Sequence, residues 1–274
     1  NMLSNVLVIK SARADLPADF TGGVIDIITK DFPSKEEFSV SVSTAYNPDM
    51  HFNDNYLSYT GGSTDFLGFD DGSRKNRIAN SFLGNTFDPR LNQSDSGLDL
   101  VNRISNQFDP QMAPQVANSG MNFGFGISYG NQFNFENGHA FGILGSLSYK
   151  SDQTVYENTQ DNIFNFSPDK SKLAFEENRI QSGTIGGQNI IASGLFGLTY
   201  KTNTSKFKLN GLHIQNGQTT SGSFRQLTRF SDFIDFNKFN LEYNERSISN
   251  GMLSGLHNFE ESNLKLEWTL SGTL

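Results

Sequence analysis

At 274 residues the chain is long enough to bury a sizeable core within one all-β domain. The absence of cysteine excludes disulfide staples and thiolate metal sites, and a formal net charge of -8 leaves no basic stripe to meet the phosphates of a nucleic acid. Phe 25 against Trp 1, with Gly 26 and a hydrophobic share of 35%, describes an aromatic-rich strand former without long apolar runs; no stretch approaches the ~20 apolar residues of a membrane helix, which leaves β-barrels untouched.

The first ten residues, Asn1 to Lys10, show no charged-then-apolar pattern of a signal peptide, so the expectation is a removed leader or a start inside a larger protein. Two β-branched runs follow each other, one within Ser4–Ser11 and one within Val24–Lys30, separated by a turn at Gly22 and Gly23, which tolerate positive φ. From Phe38 onward, period 2 fits better than period 3.6. Phe38, Val40, Val42, Thr44 and Tyr46 alternate with Ser39, Ser41, Ser43 and Ala45. After a long segment at about Pro48–Gly120, the bulky series Met121, Phe123, Phe125, Ile127, Tyr129 alternates with Asn122, Gly124, Gly126, Ser128, Gly130. A tight turn around Asn137-Gly138 leads to a third strand carrying Phe141, Ile143, Leu147 and Tyr149 on one face.

Polar sequence at Ser151–Ala192 then reads as a long loop. Phe196, Leu198 and Tyr200 mark the fourth strand, Thr202–Lys206 a short turn, and Phe207, Leu209 and Gly211 the fifth, whose pattern blurs at Leu212, His213 and Ile214. Gly217–Asp235 reads as another long polar connection, Phe239 to Phe259 as a sixth strand with a bulge at Asn250-Gly251, and Glu260–Asn263 as a short turn before Leu264, Leu266, Trp268 and Leu270. Short connections at one end and long ones at the other are the connectivity of an up-and-down outer-membrane barrel. The count of about seven strands is odd, and the last still runs at Leu274; an open edge cannot face lipid, so the expectation is a longer barrel.

Ser4-Asn5-Val6-Leu7-Val8-Ile9-Lys10-Ser11, then Asp15-Leu16-Pro17-Ala18-Asp19-Phe20-Thr21-Gly22-Gly23-Val24-Ile25-Asp26-Ile27-Ile28-Thr29-Lys30, resembles the end of the plug domain of TonB-dependent receptors. Together with Asp65-Phe66-Leu67-Gly68-Phe69-Asp70-Asp71-Gly72-Ser73-Arg74, it looks like the receptors common in Bacteroidetes, which often carry a carboxypeptidase-like regulatory domain. The resemblance implies an all-β fold: residues 1–33 as the end of the plug, and 34–274 as a partial antiparallel transmembrane β-barrel of about seven strands out of 22. It implies active import of a scarce ligand across the outer membrane of a Gram-negative bacterium. The energy would come from the inner-membrane TonB complex through an N-terminal segment outside this chain. Outer-membrane lipid is an implied partner, and a surface lipoprotein is a further partner the resemblance admits. Asp19, Gly22, Gly23 and Asp26 match the plug motif and take a structural role.

No catalytic, cofactor-binding or metal-binding residue emerges, and no cofactor or enzyme activity is expected. Asp65, Asp70, Asp71 and Gly72 lack the spacing and later Glu of a calcium loop and read as a turn. His51, His139, His213 and His257 lie far apart, with no partner at ligand spacing. Gly124, Gly126 and Gly130 are the small face of a strand, since no helix follows them as in a nucleotide loop. Trp268, Tyr46, Tyr129, Tyr149 and Tyr200 fit interfacial girdles or ordinary sheet packing equally well. Ligand residues stay unassigned; the acidic balance suggests cationic or polyhydroxylated ligands. Two rivals stand beside the importer: a non-transporting surface or adhesion barrel, and a soluble extracellular all-β binding domain, which would turn polar faces outward.

Overall fold

The computed structural model describes residues 3–10, 24–29, 35–75, 110–229 and 233–274, with four isolated positions at 99, 102, 105 and 106. Its strands are β1 (Leu3–Ile9), β2 (Val24–Thr29), β3 (Glu37–Ala45), β4 (Tyr56–Ser58), β5 (Gln115–Ala117), β6 (Asn122–Asn134), β7 (Ala140–Gln160), β8 (Ile163–Phe166), β9 (Phe175–Lys201), β10 (Ser205–Arg229), β11 (Phe233–Phe259) and β12 (Leu264–Thr273). One large sheet has the order β12-β11-β10-β9-β7-β6-β3, with β8 beside β9; β1-β2 and β4-β5 are separate pairs, and every pairing is antiparallel. The chain is therefore all-β with long antiparallel strands. The described strands form an open sheet and do not close into a barrel.

Short turns close the sheet at one end. Between β6 and β7, Phe135 N–H donates to the His139 carbonyl (2.9 Å), and Gly138 takes φ 78°, a left-handed value that glycine adopts without a Cβ clash. Between β9 and β10, Thr202 N–H donates to the Ser205 carbonyl (2.7 Å) and Ser205 N–H to Thr202 Oγ1 (2.9 Å). A 3-10 turn at Glu260–Ser262, ending on Asn263 at φ 47°, joins β11 to β12.

The other end departs from the sequence expectation. Ser151–Ala192 is mostly strand: β7 runs on to Gln160, β9 begins at Phe175, and only the short β8 hairpin lies between. The described residues of Gly217–Asp235 likewise belong to β10 and β11, whose register is unbroken from Ser205↔His257 to Arg229↔Phe233. Polar residues outnumber scattered apolar ones on both faces of these stretches, so the hydrophobic alternation that marks a strand fades while the backbone ladder continues. No bulge occurs at Asn250-Gly251, which pair in register with Leu212 and Gly211 on one side and with Thr273 and Gly272 on the other. A register shift appears instead in β7 between Tyr156 and Thr159, where Asn158 adopts φ 53°.

Candidate functional site

Residues opposite each other in an antiparallel ladder point to the same face, so the register sorts every side chain. Phe38, Val40 and Val42 of β3 join Tyr129, Ile127 and Phe125 of β6, and these continue into Leu147 and Tyr149 of β7. Phe141 and Ile143 lead on to Tyr200 and Leu198 of β9, then to Phe207 and Leu209 of β10. Leu253 of β11 and Trp268 and Leu270 of β12 complete the row. The result is an apolar band across seven strands. The opposite face carries Ser, Gly, Asn and Lys, with cross-strand hydrogen bonds between Ser39 and Ser128 Oγ (2.9 Å) and between Ser148 and Ser193 Oγ (2.8 Å).

In the central strands the small-residue face is buried more deeply than the band. Phe196 and Leu147 in the band are 52% and 63% exposed, whereas Thr199 and Leu144 on the polar face are 7% and 9% exposed. The polar face bears Lys150, Lys201, Lys206, Lys208, Lys238, Arg246 and Lys265 against Glu37, Asp152, Glu242 and Glu267. Its paired stretches do not carry the acidity of the chain as a whole, and the expectation of cationic ligands finds no support there. Within the band, Gly211, Gly251 and Gly272 meet in register and leave a depression of about 700 Å³ bordered by Leu147, Phe196, Leu209 and Leu274.

Aromatic groups mark the turn end of the band. His139 Nδ1 meets Tyr200 OH at 2.8 Å. Trp268 Nε1–H donates to His257 Nε2 (3.1 Å), which leaves His257 Nδ1 to donate to Ser205 Oγ (2.9 Å). Tyr46 and Tyr149 lie towards the other edge, and Tyr129 pairs with Gly145 in the middle of the band.

Above the band the same face is mixed, with Gln153, Gln188, Gln215 and Thr219 beside Val155 and Ile190, and here it is covered. The cover is a strap, residues 46–75, which the sequence suggested only as part of a long loop. Its β4 pairs with β5 and places Tyr56 and Leu57 in the small core. Burial pushes the Tyr56 phenol up to about 12. Glycines in the sheet let the strap approach: a Cβ on Gly186 would stand 2.0 Å from the Leu57 carbonyl oxygen, and one on Gly217 would stand 2.6 Å from Gly68 Cα. Gln215 Nε2–H donates to the Gly68 carbonyl (2.7 Å) and to Glu245 Oε1 (3.0 Å), while Asp70 N–H donates to Glu245 Oε2 (2.9 Å).

Asp65 and Asp70, weighed earlier as cation ligands, hold Arg74 instead. Its guanidinium donates to Asp65 Oδ1 (2.7 Å) and Oδ2, to Asp70 Oδ1 (2.8 Å) and to Tyr59 OH (3.0 Å), and it lies 4.0 Å above the Tyr243 ring. The Asp65 carboxylate, then Asp70, raises the Arg74 pKa. Asp71 accepts from Ser63 N–H (2.8 Å) and Oγ (2.9 Å) and from Ser73 N–H (3.0 Å), and these bonds, led by that from Ser63 N–H, hold its carboxyl below the usual range. At the start of the strap the buried His51 accepts Asn47 N–H on Nδ1 (2.8 Å), so Nε2–H points at Asn122 Oδ1 (3.0 Å) and the Gln153 carbonyl (3.3 Å). The four histidines thus stay apart, and among the described residues no group of three or more His, Cys, Asp or Glu converges on a metal position.

Of the plug motif, Asp19, Gly22 and Gly23 lie outside the described residues. Asp26 stands on β2, opposite Leu7 of β1. No family model, curated protein or solved structure matches the chain.

Proposed function

We propose that this chain forms part of the wall of an outer-membrane β-barrel of the TonB-dependent receptor type, which imports a scarce ligand with energy delivered by the TonB complex. The observation that carries the reading is the uncovered apolar band: large apolar side chains exposed on one face of the sheet, small and polar ones gathered on the other. A bilayer-spanning strand needs about 9–11 tilted residues with alternating faces. The apolar series Phe141–Tyr149 on β7 and Ala192–Tyr200 on β9 are of that length.

Two further features support the reading. β3 and β12 each have a partner on one side only among the described residues, as sheet edges that require further strands in lipid. β9, β10 and β11 have 27, 25 and 27 residues, so each exceeds the bilayer by roughly 15 residues, about 50 Å of strand. In this reading the excess stands outside the cell as a tall rim for ligand capture, and the motif at Asp19–Asp26 belongs to the plug that fills the lumen.

The test is envelope fractionation of the source cells, with gels run before and after boiling and with cross-linking to TonB in the intact cell. A heat-modifiable outer-membrane band that cross-links to TonB is expected. A soluble, heat-indifferent protein would overturn the barrel, and a heat-modifiable protein that never meets TonB would turn the reading to a non-transporting surface barrel.

A further inference from the structure

We infer that the turn Thr64–Phe69 of the strap is a ledge seated in the headgroup region of the membrane, placing Phe66, Leu67 and Phe69 among the lipids immediately above the apolar band. This rests on the proposal that the band faces lipid.

The height of the turn is fixed by contacts with the sheet. Tyr149 O–H donates to the Phe66 carbonyl (2.7 Å), and Tyr149 is the last large band residue on β7 before polar Ser151 and Gln153 take over the face. On β10, Gly68 rests against the Gly217 backbone and the Gln215 side chain, one step beyond His213 at the band's edge. The turn therefore sits where apolar surface ends and polar surface begins. Phe52, with its ring 6.0 Å from that of Tyr46 just beyond β3, extends the same edge sideways.

The chemistry of the turn is two-sided. Its polar side chains are committed to the protein, Asp65 to Arg74 and Thr64 Oγ1 to the Phe69 carbonyl (2.7 Å), and the adjoining Asp70 is bound to Arg74 through its carboxylate and to Glu245 through its N–H. Its apolar groups are presented outward, Phe66 at 60% exposure, with Leu67 and Phe69 also exposed. Aromatic rings at the rim of an apolar band, with polar backbone behind them, match the amphipathic demands of a bilayer interface. Continuity with the band through the Tyr149 bond selects lipid over a protein partner as the occupant.

The test uses the full-length protein in phospholipid vesicles, each tryptophan except Trp268 replaced by phenylalanine, compared with a Phe66→Trp, Trp268→Phe version of the same background. Both should remain heat-modifiable, because the exchange at 66 keeps an exposed aromatic ring. Lipids brominated near the carbonyl should quench the indole at 66, while lipids brominated at the chain end should leave it bright; Trp268 should be quenched in brominated vesicles. An indole at 66 that stays bright with both lipids while Trp268 is quenched would overturn the ledge and leave the barrel standing. Quenching at neither position would remove the lipid-facing band, and the ledge with it.

Discussion

The lower and upper halves of one sheet face are built on the same strands and meet opposite fates. Below, Leu147, Phe196 and Leu209 stand bare; above, Gln153, Gln215 and Gly217 are roofed by the strap. The strap settles on the upper half, where Val155 and Ile190 are buried with its Tyr56 and Leu57 and where Gln215, Glu245 and the Arg74 cluster hold it. The comparison teaches that the lower half keeps its large apolar side chains uncovered, and that the upper half is shaped for close backbone approach.

The largest expected break in that contrast is a charge placed in the lower half. Leu147→Arg should destabilise the full-length protein in lipid by about 2–4 kcal/mol, the range for arginine at a bilayer midplane, whereas Ser148→Arg on the opposite face should change stability by only about 0.5 kcal/mol. Guanidinium unfolding in vesicles measures both, and equal costs would erase the distinction between the faces.

A smaller break targets the upper half. The Cβ added by Gly217→Val would meet Gly68 Cα at 2.6 Å and Tyr243 OH at 2.7 Å, so the strap must lift, at about 1–3 kcal/mol. Limited proteolysis should then cut within residues 46–75 while the amount of assembled protein is unchanged; an uncut strap would show that the sheet can yield instead.

The smallest effect sharpens the contrast by pH. The Tyr56 phenol is held protonated by burial, to about 12. Its contribution is fully present below the ordinary tyrosine range near 10 and is lost as pH rises from there through about 12. The strap should loosen across that alkaline window, followed by phenolate absorbance, and Tyr56→Phe should remove that part of the transition.

Much of the lower half could be read from the chain. Bulky and small residues alternate from Phe38 and from Met121, and Asn137-Gly138 announces its turn, because one face is apolar and period 2 carries the contrast. The extensions of β7, β9, β10 and β11 were misread as loops since Gln, Asn, Ser and Thr occupy both of their faces, and ladder hydrogen bonds leave no mark on side-chain type. The strap was less legible still. Arg74 finds Asp65 and Asp70 nearby in sequence, yet Tyr243 and Glu245 come from a strand far along the chain, and Gly186 and Gly217 look like any other glycine until something packs on them.

From β6 to β12 each strand of the sheet lies beside one made just before it, so closing each hairpin fixes few residues. β3 is the exception, since Ala45 must find Asn122 across an intervening stretch of more than seventy residues. The strap stitches the ends of that stretch together: Phe52 N–H donates to the Ser119 carbonyl (2.9 Å), Ser119 N–H to the Asn53 carbonyl (3.1 Å) and Ser119 Oγ to the Met50 carbonyl (2.7 Å). Once tied, the span behaves as a loop of roughly ten residues, about three halvings shorter, which moves about 2 kcal/mol of closure entropy from the β3–β6 pairing onto the strap's own contacts. The long loop is therefore closed by the strap's contacts at Ser119, and the β3–β6 ladder is left with a closure no longer than that of an ordinary connection.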